Sequence, residues 1–385
     1  MNRPAQVNRP GQTLWLICIT VLLAGCVSQP PPPAAIPADA LLVVIDDPRP
    51  TRLRSFVDAP GYGAPIAYAA DPILQRYANT IARDYNTAVV QAWPLRSLGV
   101  HCFVIEPIDQ ATRARLDQDP RIKWTQPFNT YTLQANPSAR ANSSSDNPTM
   151  HGGLPLAGTG AGTRISIIDT GVDLSHRDLM GSRIRYQDYV PAMRDDQAER
   201  HGTAVLGLIA ARGADGLVHG LAPDAEVQHV RGCWEAADGQ GMCNTLTLAL
   251  ALEAALAFQP TVLNLSLSGP RDRVLDALIA QLGVRGTIVV SAHDESRAPQ
   301  ERFPRPAQHV LYAMAGTTVS KHTDLEHAFV APGQAVSLSP MNNYDLVQGH
   351  SVAAPHLTAL VARLAAHQPR APHAVHIQQL HRLLE

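Results

Sequence analysis

Asp169, His201 and Ser351 stand far apart in this chain, each inside a short segment suited to holding a reactive group still. The segments are Ile167-Ile168-Asp169-Thr170-Gly171-Val172-Asp173, His201-Gly202-Thr203-Ala204-Val205, and Gly349-His350-Ser351-Val352-Ala353-Ala354-Pro355-His356. A serine hydroxyl is a weak nucleophile at neutral pH and needs a neighbouring base to take its proton. Histidine suits that task because its pKa lies near the working pH. A buried carboxylate then fixes the imidazole tautomer and stabilises the imidazolium. The chemistry these types allow is attack by an alcohol on an acyl carbon.

Such groups need rigid supports, and the local sequence supplies them. Asp169 follows the apolar run Ile165-Ser166-Ile167-Ile168, which reads as a buried strand ending at the aspartate. Ligands bind at such strand ends in open α/β sheets. His201 opens a helix-like stretch to Ala211, and Gly202 lets backbones approach closely. Ser351 begins another helix, Val352 to Ala366, where Pro355 is tolerated only near the first turn. Free N–H groups at that helix start are aimed well for a developing oxyanion.

The order Asp, His, Ser, carried on these motifs from about Gly160 to Ala366, resembles the subtilase family of serine proteases. Gly220-Leu221-Ala222-Pro223-Asp224-Ala225 resembles the family segment before the strand leading to the substrate groove. Leu263 to Gly269 resembles the strand and turn walling the specificity pocket, which implies substrate contacts from Ser266, Leu267, Ser268 and Gly269. The resemblance implies a polypeptide substrate lying there as an added strand. It also implies an α/β fold, a subtilisin-like parallel sheet with helices on both faces. Asn264 matches a position of structural support.

Two positions depart from the family pattern. Asp294 stands where an asparagine amide is expected to donate to the oxyanion, and His293 stands in place of glycine. An ionised aspartate cannot donate, so Asp294 is expected to serve only when protonated, with an acid-shifted activity profile. The Ser351 N–H remains as a donor. His350 replaces the usual threonine, either as a gap filler or as a second base beside Ser351.

The chain has 385 residues, 45% hydrophobic and 17% charged, with a net charge of −2, which suits a globular enzyme of two or three domains. No basic run alternates with aromatics, so no nucleic-acid partner is expected. Residues 1–26 read as an export signal: Arg3 and Arg9 precede the apolar stretch Leu14–Leu23, too short to span a bilayer. Leu23-Ala24-Gly25-Cys26 matches a bacterial lipobox, so Cys26 is the expected lipidation site. The expected location is the cell envelope, by default the outer membrane facing the periplasm in a cell with two membranes. An oxidising compartment favours a Cys233–Cys243 disulfide, leaving Cys102 as a buried thiol.

Residues 27–40 are a Pro-rich tether. Residues 41–132 alternate strand and helix: Leu41–Ile45, helical spacing over Ile73–Tyr85, a strand near Trp93, Val100–Ile105, Ile108–Gln118, and a last strand after Arg121–Trp124. This small α+β unit is similar to the family propeptide, with an adaptor or a substrate-recruiting domain as the alternatives. Residues 133–162 form a linker, in which Gly158, Gly160 and Gly162 precede a strand instead of following one and so make no nucleotide loop. From 163 to 385 strands and helices alternate, as a parallel sheet covered on both faces requires. No cofactor is expected: Asp173, His176 and Asp178 either bind a cation or read as solvated loop residues, calcium is possible but lacks a committed motif, and His373, His376 and His381 read as exposed helix surface.

Overall fold

The computed structural model describes residues 36–37, 39–47, 72–133, 156–190, 199–213, 218–317, 320–321 and 327–384. The signal segment, Cys26 and most of the tether and linker lie outside these residues. In the N-terminal part the elements are β1 (Leu41–Asp46), α1 (Pro72–Asp84), β2 (Val89–Leu95), β3 (Val100–Ile105), α2 (Gln110–Leu116), β4 (Trp124–Pro127) and β5 (Thr130–Leu133). Strands β2-β3-β1-β4 form an antiparallel sheet. The apolar run of β1 is buried on both faces. Leu41, Val43 and Ile45 pack with Ala78 and Ile81 of α1, whereas Leu42 and Val44 share a core with the helices of the larger part.

The larger part continues with β6 (Arg164–Asp169), β7 (Arg183–Asp188), α3 (Arg200–Ala210), β8 (Glu226–Arg231), β9 (Cys233–Glu235), β10 (Gly241–Asn244) and α4 (Thr245–Phe258). Next come β11 (Val262–Leu265), β12 (Leu267–Pro270), α5 (Arg273–Val284), β13 (Ile288–Ala292), β14 (Arg302–Phe303), β15 (Val310–Gly316), β16 (Ser320–Lys321) and β17 (Ala328–Pro332). The chain closes with β18 (Gln334–Ser339), β19 (Asn343–Gln348), α6 (His350–His367) and α7 (His373–Leu384). The main sheet runs β16-β17-β15-β13-β11-β6-β8-β7, parallel throughout except for the short edge strand β16. Its central strands β6, β11 and β13 are buried almost throughout because helices cover both faces. One face packs on α4 and α5, the other on α3 and α6. The subtilisin-like α/β arrangement expected from the sequence is present.

The two parts share more than a core. β5 leaves the N-terminal sheet and pairs antiparallel with both β10 and β12. Asp272 explains the docking. Its Oδ1 accepts the Val274 and Leu275 N–H groups at the start of α5, while its Oδ2 accepts from Tyr131 Oη at 3.0 Å and Asn129 Nδ2 at 3.1 Å. One residue therefore caps a helix, a feature worth about 1 kcal/mol, and anchors the incoming strand. The Arg273 guanidinium lies 4.4 Å from the Trp124 ring centroid, beside the same junction. Cys233 and Cys243 face each other across the β9–β10 hairpin and are disulfide-bonded, and Cys102 is a buried free thiol.

Candidate active site

β6 delivers Asp169 to the C-terminal edge of the parallel sheet, where the side chain is fully buried. The Thr170 N–H donates to Asp169 Oδ1 at 2.7 Å, and His201 Nδ1 lies 2.6 Å from the same oxygen. An ionised carboxylate only accepts, so Nδ1 carries the hydrogen and Nε2 is left able to take a proton. Burial disfavours the imidazolium of His201. The Asp169 charge and hydrogen bond, aided by the Glu235 charge, outweigh that and raise its pKa above the ordinary value.

The start of α3 is locked to the loop after β6. The Gly202 N–H donates to Thr170 Oγ1 at 2.9 Å, and a Cβ on Gly202 would sit 2.4 Å from the Thr170 carbonyl oxygen. Only glycine permits that approach. The Thr170 carbonyl is held by His229 Nε2 at 2.8 Å, and the Asp173 N–H donates to Thr203 Oγ1 at 3.0 Å. Glu199, just before the helix, accepts the Gly171 N–H through Oε2. Its Oε1 receives Arg231 Nη2 at 2.8 Å and the Glu235 N–H at 3.3 Å. Glu235 Oε1 in turn accepts the His201 backbone N–H at 2.8 Å, and burial raises the Glu235 pKa. Sequence reading missed Glu199, Arg231 and Glu235. Their charges look like surface residues until the fold brings β8, β9 and α3 together.

Ser351 is the second residue of α6 and is fully buried, and its Oγ makes no hydrogen bond. Its N–H lies in the first turn, where helix geometry leaves donors free. Its carbonyl accepts from Ser266 Oγ at 3.1 Å, Ser266 Oγ accepts from Asn264 Nδ2 at 3.0 Å, and Thr358 Oγ1 donates to Asn264 Oδ1 at 2.9 Å. Asn264 thus ties β11 to α6 beneath the serine. His201 and Ser351 line one cavity of about 360 Å³, with Glu235, Gly241, Val347 and Gln348 among its walls. The structure joins Asp169 to His201 and puts His201 and Ser351 around the same space.

The opposite wall differs from expectation. Asp294 is buried, but its Oδ1 accepts from the Ser296 N–H at 2.9 Å and its Oδ2 from Arg297 Nη1 at 2.8 Å. Burial alone would raise its pKa. The bonds from Ser296 and Arg297 win and hold it below the ordinary value. The expectation of a protonated, donating Asp294 is therefore corrected: its surroundings favour the charged form and occupy both oxygens. His350 Nδ1 accepts the Ala315 N–H at 2.8 Å, and its Nε2 lies 3.5 Å from Glu295 Oε1. That engagement suits a gap filler and not a second base.

On the substrate side, Leu267 and Ser268 of β12 pair with Leu133 and Thr132 of β5, and Gly269 lies against the Tyr131 ring. The four residues Ser266 to Gly269 thus adjoin an extended strand, here supplied by the chain itself. Asp173, His176 and Asp178 hold loops: Asp173 Oδ2 accepts the Met341 N–H at 2.8 Å, His176 Nε2 meets the Asn343 carbonyl at 3.1 Å, and Asp178 accepts from Tyr344 Oη at 2.9 Å. The C-terminal histidines depart from the expected exposure. His376 is buried, and His381 packs on Phe329 with ring centroids 5.1 Å apart.

Residues 160–382 match the model of the peptidase S8 family, described as the subtilase family. The chain is 26% identical over 382 residues to an extracellular serine proteinase of Thermus sp. (strain Rt41A), covering 91% of this chain and 88% of that protein. It is 32% identical over 222 residues to subtilisin BL of Lederbergia lenta, covering 55% of this chain and 79% of the relative. Among solved structures, fervidolysin from Fervidobacterium pennivorans, a keratinolytic enzyme related to subtilisin, superposes with a TM-score of 0.60 at 18% identity. That match covers 88% of this chain and 56% of fervidolysin, a likeness of fold.

Proposed function

The chain belongs to the subtilase family of serine endopeptidases, and from that premise we propose that Asp169, His201 and Ser351 are its catalytic triad. The observation that carries the assignment is the 2.6 Å contact between Asp169 and His201 on a cavity shared with Ser351. Ser351 Oγ attacks the scissile carbonyl while His201 Nε2 takes its proton. His201 then returns that proton to the leaving amine, and a water hydrolyses the acyl-enzyme by the same route. The Ser351 N–H stabilises the oxyanion. Asp294 contributes nothing there, which lowers turnover. The test is Ser351→Ala, which should abolish hydrolysis of an unstructured protein substrate. The expected loss is about 10⁶-fold, a scale taken from subtilisin in the same family. Undiminished hydrolysis by the variant refutes the assignment.

The N-terminal unit is read as a propeptide whose last strand, β5, occupies the substrate strand position on β12. Leu133 faces Leu267, next to Ser266, whose Oγ bonds to the Ser351 carbonyl, so β5 ends beside the residue that braces the nucleophile. Self-cleavage then falls in the linker. With lipid on Cys26, that cut releases the protease from the membrane of the cell envelope. Mass spectrometry of membrane and soluble fractions checks this: a lipidated N-terminal fragment and a soluble catalytic fragment are expected, and a single full-length lipidated species excludes release.

The commitment of Asp294 to Ser296 and Arg297 favours one other reading, a peptide-binding lipoprotein with little or no turnover. Wild-type hydrolysis that depends on Ser351 eliminates it.

A further inference from the structure

Arg302 is 5% exposed and has no carboxylate partner among the described residues. Its guanidinium stacks 4.3 Å from the Tyr312 ring centroid, and its Nη1 lies 3.2 Å from His293 Nδ1 and 3.4 Å from the Asp294 carbonyl oxygen. Its Nε is buried with no hydrogen bond. The carboxylate of Asp294, whose backbone carbonyl it meets, is turned to Ser296 and Arg297 instead. A buried guanidinium cannot shed its proton, and leaving it without a counter-ion is costly. An open donor at a buried cation is therefore a place for an anion.

The location says which anion. Arg302 lies on β14, opposite Pro270 of β12, and the other edge of β12 is where β5 sits. Side chains from a strand in that position reach the β14 row, as the Tyr131 ring lies 5.5 Å, edge-on, from that of Phe303. The guanidinium itself reaches the end of β13, and the His293 ring there stands 6.4 Å from that of His350, the residue before Ser351. Arg302 thus lies beside the ends of β12 and β13 and is linked through the His293 ring to His350, the neighbour of Ser351.

Resting on the protease reading above, we propose that Arg302 is a specificity-determining residue: it binds the carboxylate of a glutamate or aspartate side chain at the residue whose carbonyl Ser351 attacks. A carboxylate fits the planar guanidinium through paired N–H donors, Nε among them. His293 assists. Arginine cannot accept, so His293 Nδ1 is the acceptor in their contact and the ring proton sits on Nε2 as a further donor. Burial, with the nearby Arg302 and His350 charges, holds His293 down at about 4, so the ring stays neutral at working pH. The enzyme is then one that cleaves after acidic residues.

The test uses the full chain and three peptides identical except for Glu, Gln or Leu before the scissile bond. The expected kcat/KM for Glu exceeds that for Gln by roughly 10- to 100-fold at neutral pH, the range for hydrogen bonds to a charged group. The preference fades as pH falls through the glutamate pKa of about 4.3. In Arg302→Gln the Glu-to-Gln ratio collapses toward one, with Arg302→Lys intermediate. Should neither variant fold, the wild-type ratio alone decides. A wild-type protein that cleaves the Gln or Leu peptide as well as the Glu peptide overturns the specificity and leaves the protease reading intact. Failure to cleave any peptide, together with no Ser351-dependent labelling by a fluorophosphonate, overturns both.

Discussion

Arg231 and Arg302 are both buried arginines, yet they are answered differently. Arg231, 2% exposed, meets Glu199 at 2.8 Å and Asp188 at 3.1 Å. Arg302 meets an imidazole, a carbonyl oxygen and an aromatic face. The first pair stands behind the acid–base machinery. Through Gly171 and Glu235 it fixes the loop of Asp169 and the backbone of His201. There the protein closes its own charge balance, which makes the geometry independent of substrate. On the other wall Asp294 and His350 are engaged away from Ser351 and a positive charge is left open.

The largest expected effect breaks the closed side. Asp169→Asn should lower kcat about 10⁴-fold by presenting the wrong imidazole tautomer, while the folded structure survives. Single-turnover kinetics with matching circular dichroism checks this, and a loss under tenfold contradicts the role given to Asp169. The next prediction sharpens the contrast between the arginines. Glu199→Ala takes one of two carboxylates from the buried Arg231 and strips the Gly171 and Glu235 N–H groups of their acceptor, and should cost about 3 kcal/mol of stability in denaturant unfolding. Arg302→Met replaces a charge that has no carboxylate, and should be neutral or stabilising within about 1 kcal/mol. Equal losses in the two variants erase the distinction.

The smallest effect is one of pH. In the proposed mechanism hydrolysis needs neutral His201, whose raised pKa should put the acid limb of kcat/KM above the ordinary histidine value of about 6.5. Glu235 contributes to that rise, so Glu235→Gln, which keeps an acceptor for the His201 N–H, should move the limb to lower pH by less than about one unit. A shift to higher pH runs against the electrostatic account.

The sequence was most readable where one residue type answers one demand. The apolar run before Asp169, the glycine after His201 and the helix opening at Ser351 followed from local pattern. The edge strand β7, Arg-Ile-Arg-Tyr-Gln-Asp, was not read, because an exposed edge carries too few apolar residues to show its period. Nor were β15 to β19, whose short runs show no period of their own and are set by their pairing and packing partners. β5 was missed as well, since its four residues are made a strand by partners more than a hundred positions away. The charged residues behind His201 and the open cation at Arg302 were invisible for a related reason. A charge is identical on the surface and in the interior until the chain around it has folded.

The central claim is that an imidazole oriented by Asp169 activates Ser351, and an active-site-directed fluorophosphonate tests it most directly. With the wild-type chain, the account predicts one label per molecule, on the peptide containing Ser351, lost in Ser351→Ala and slowed by orders of magnitude in His201→Ala. An unlabelled wild-type chain, or labelling that persists after Ser351→Ala, would contradict it.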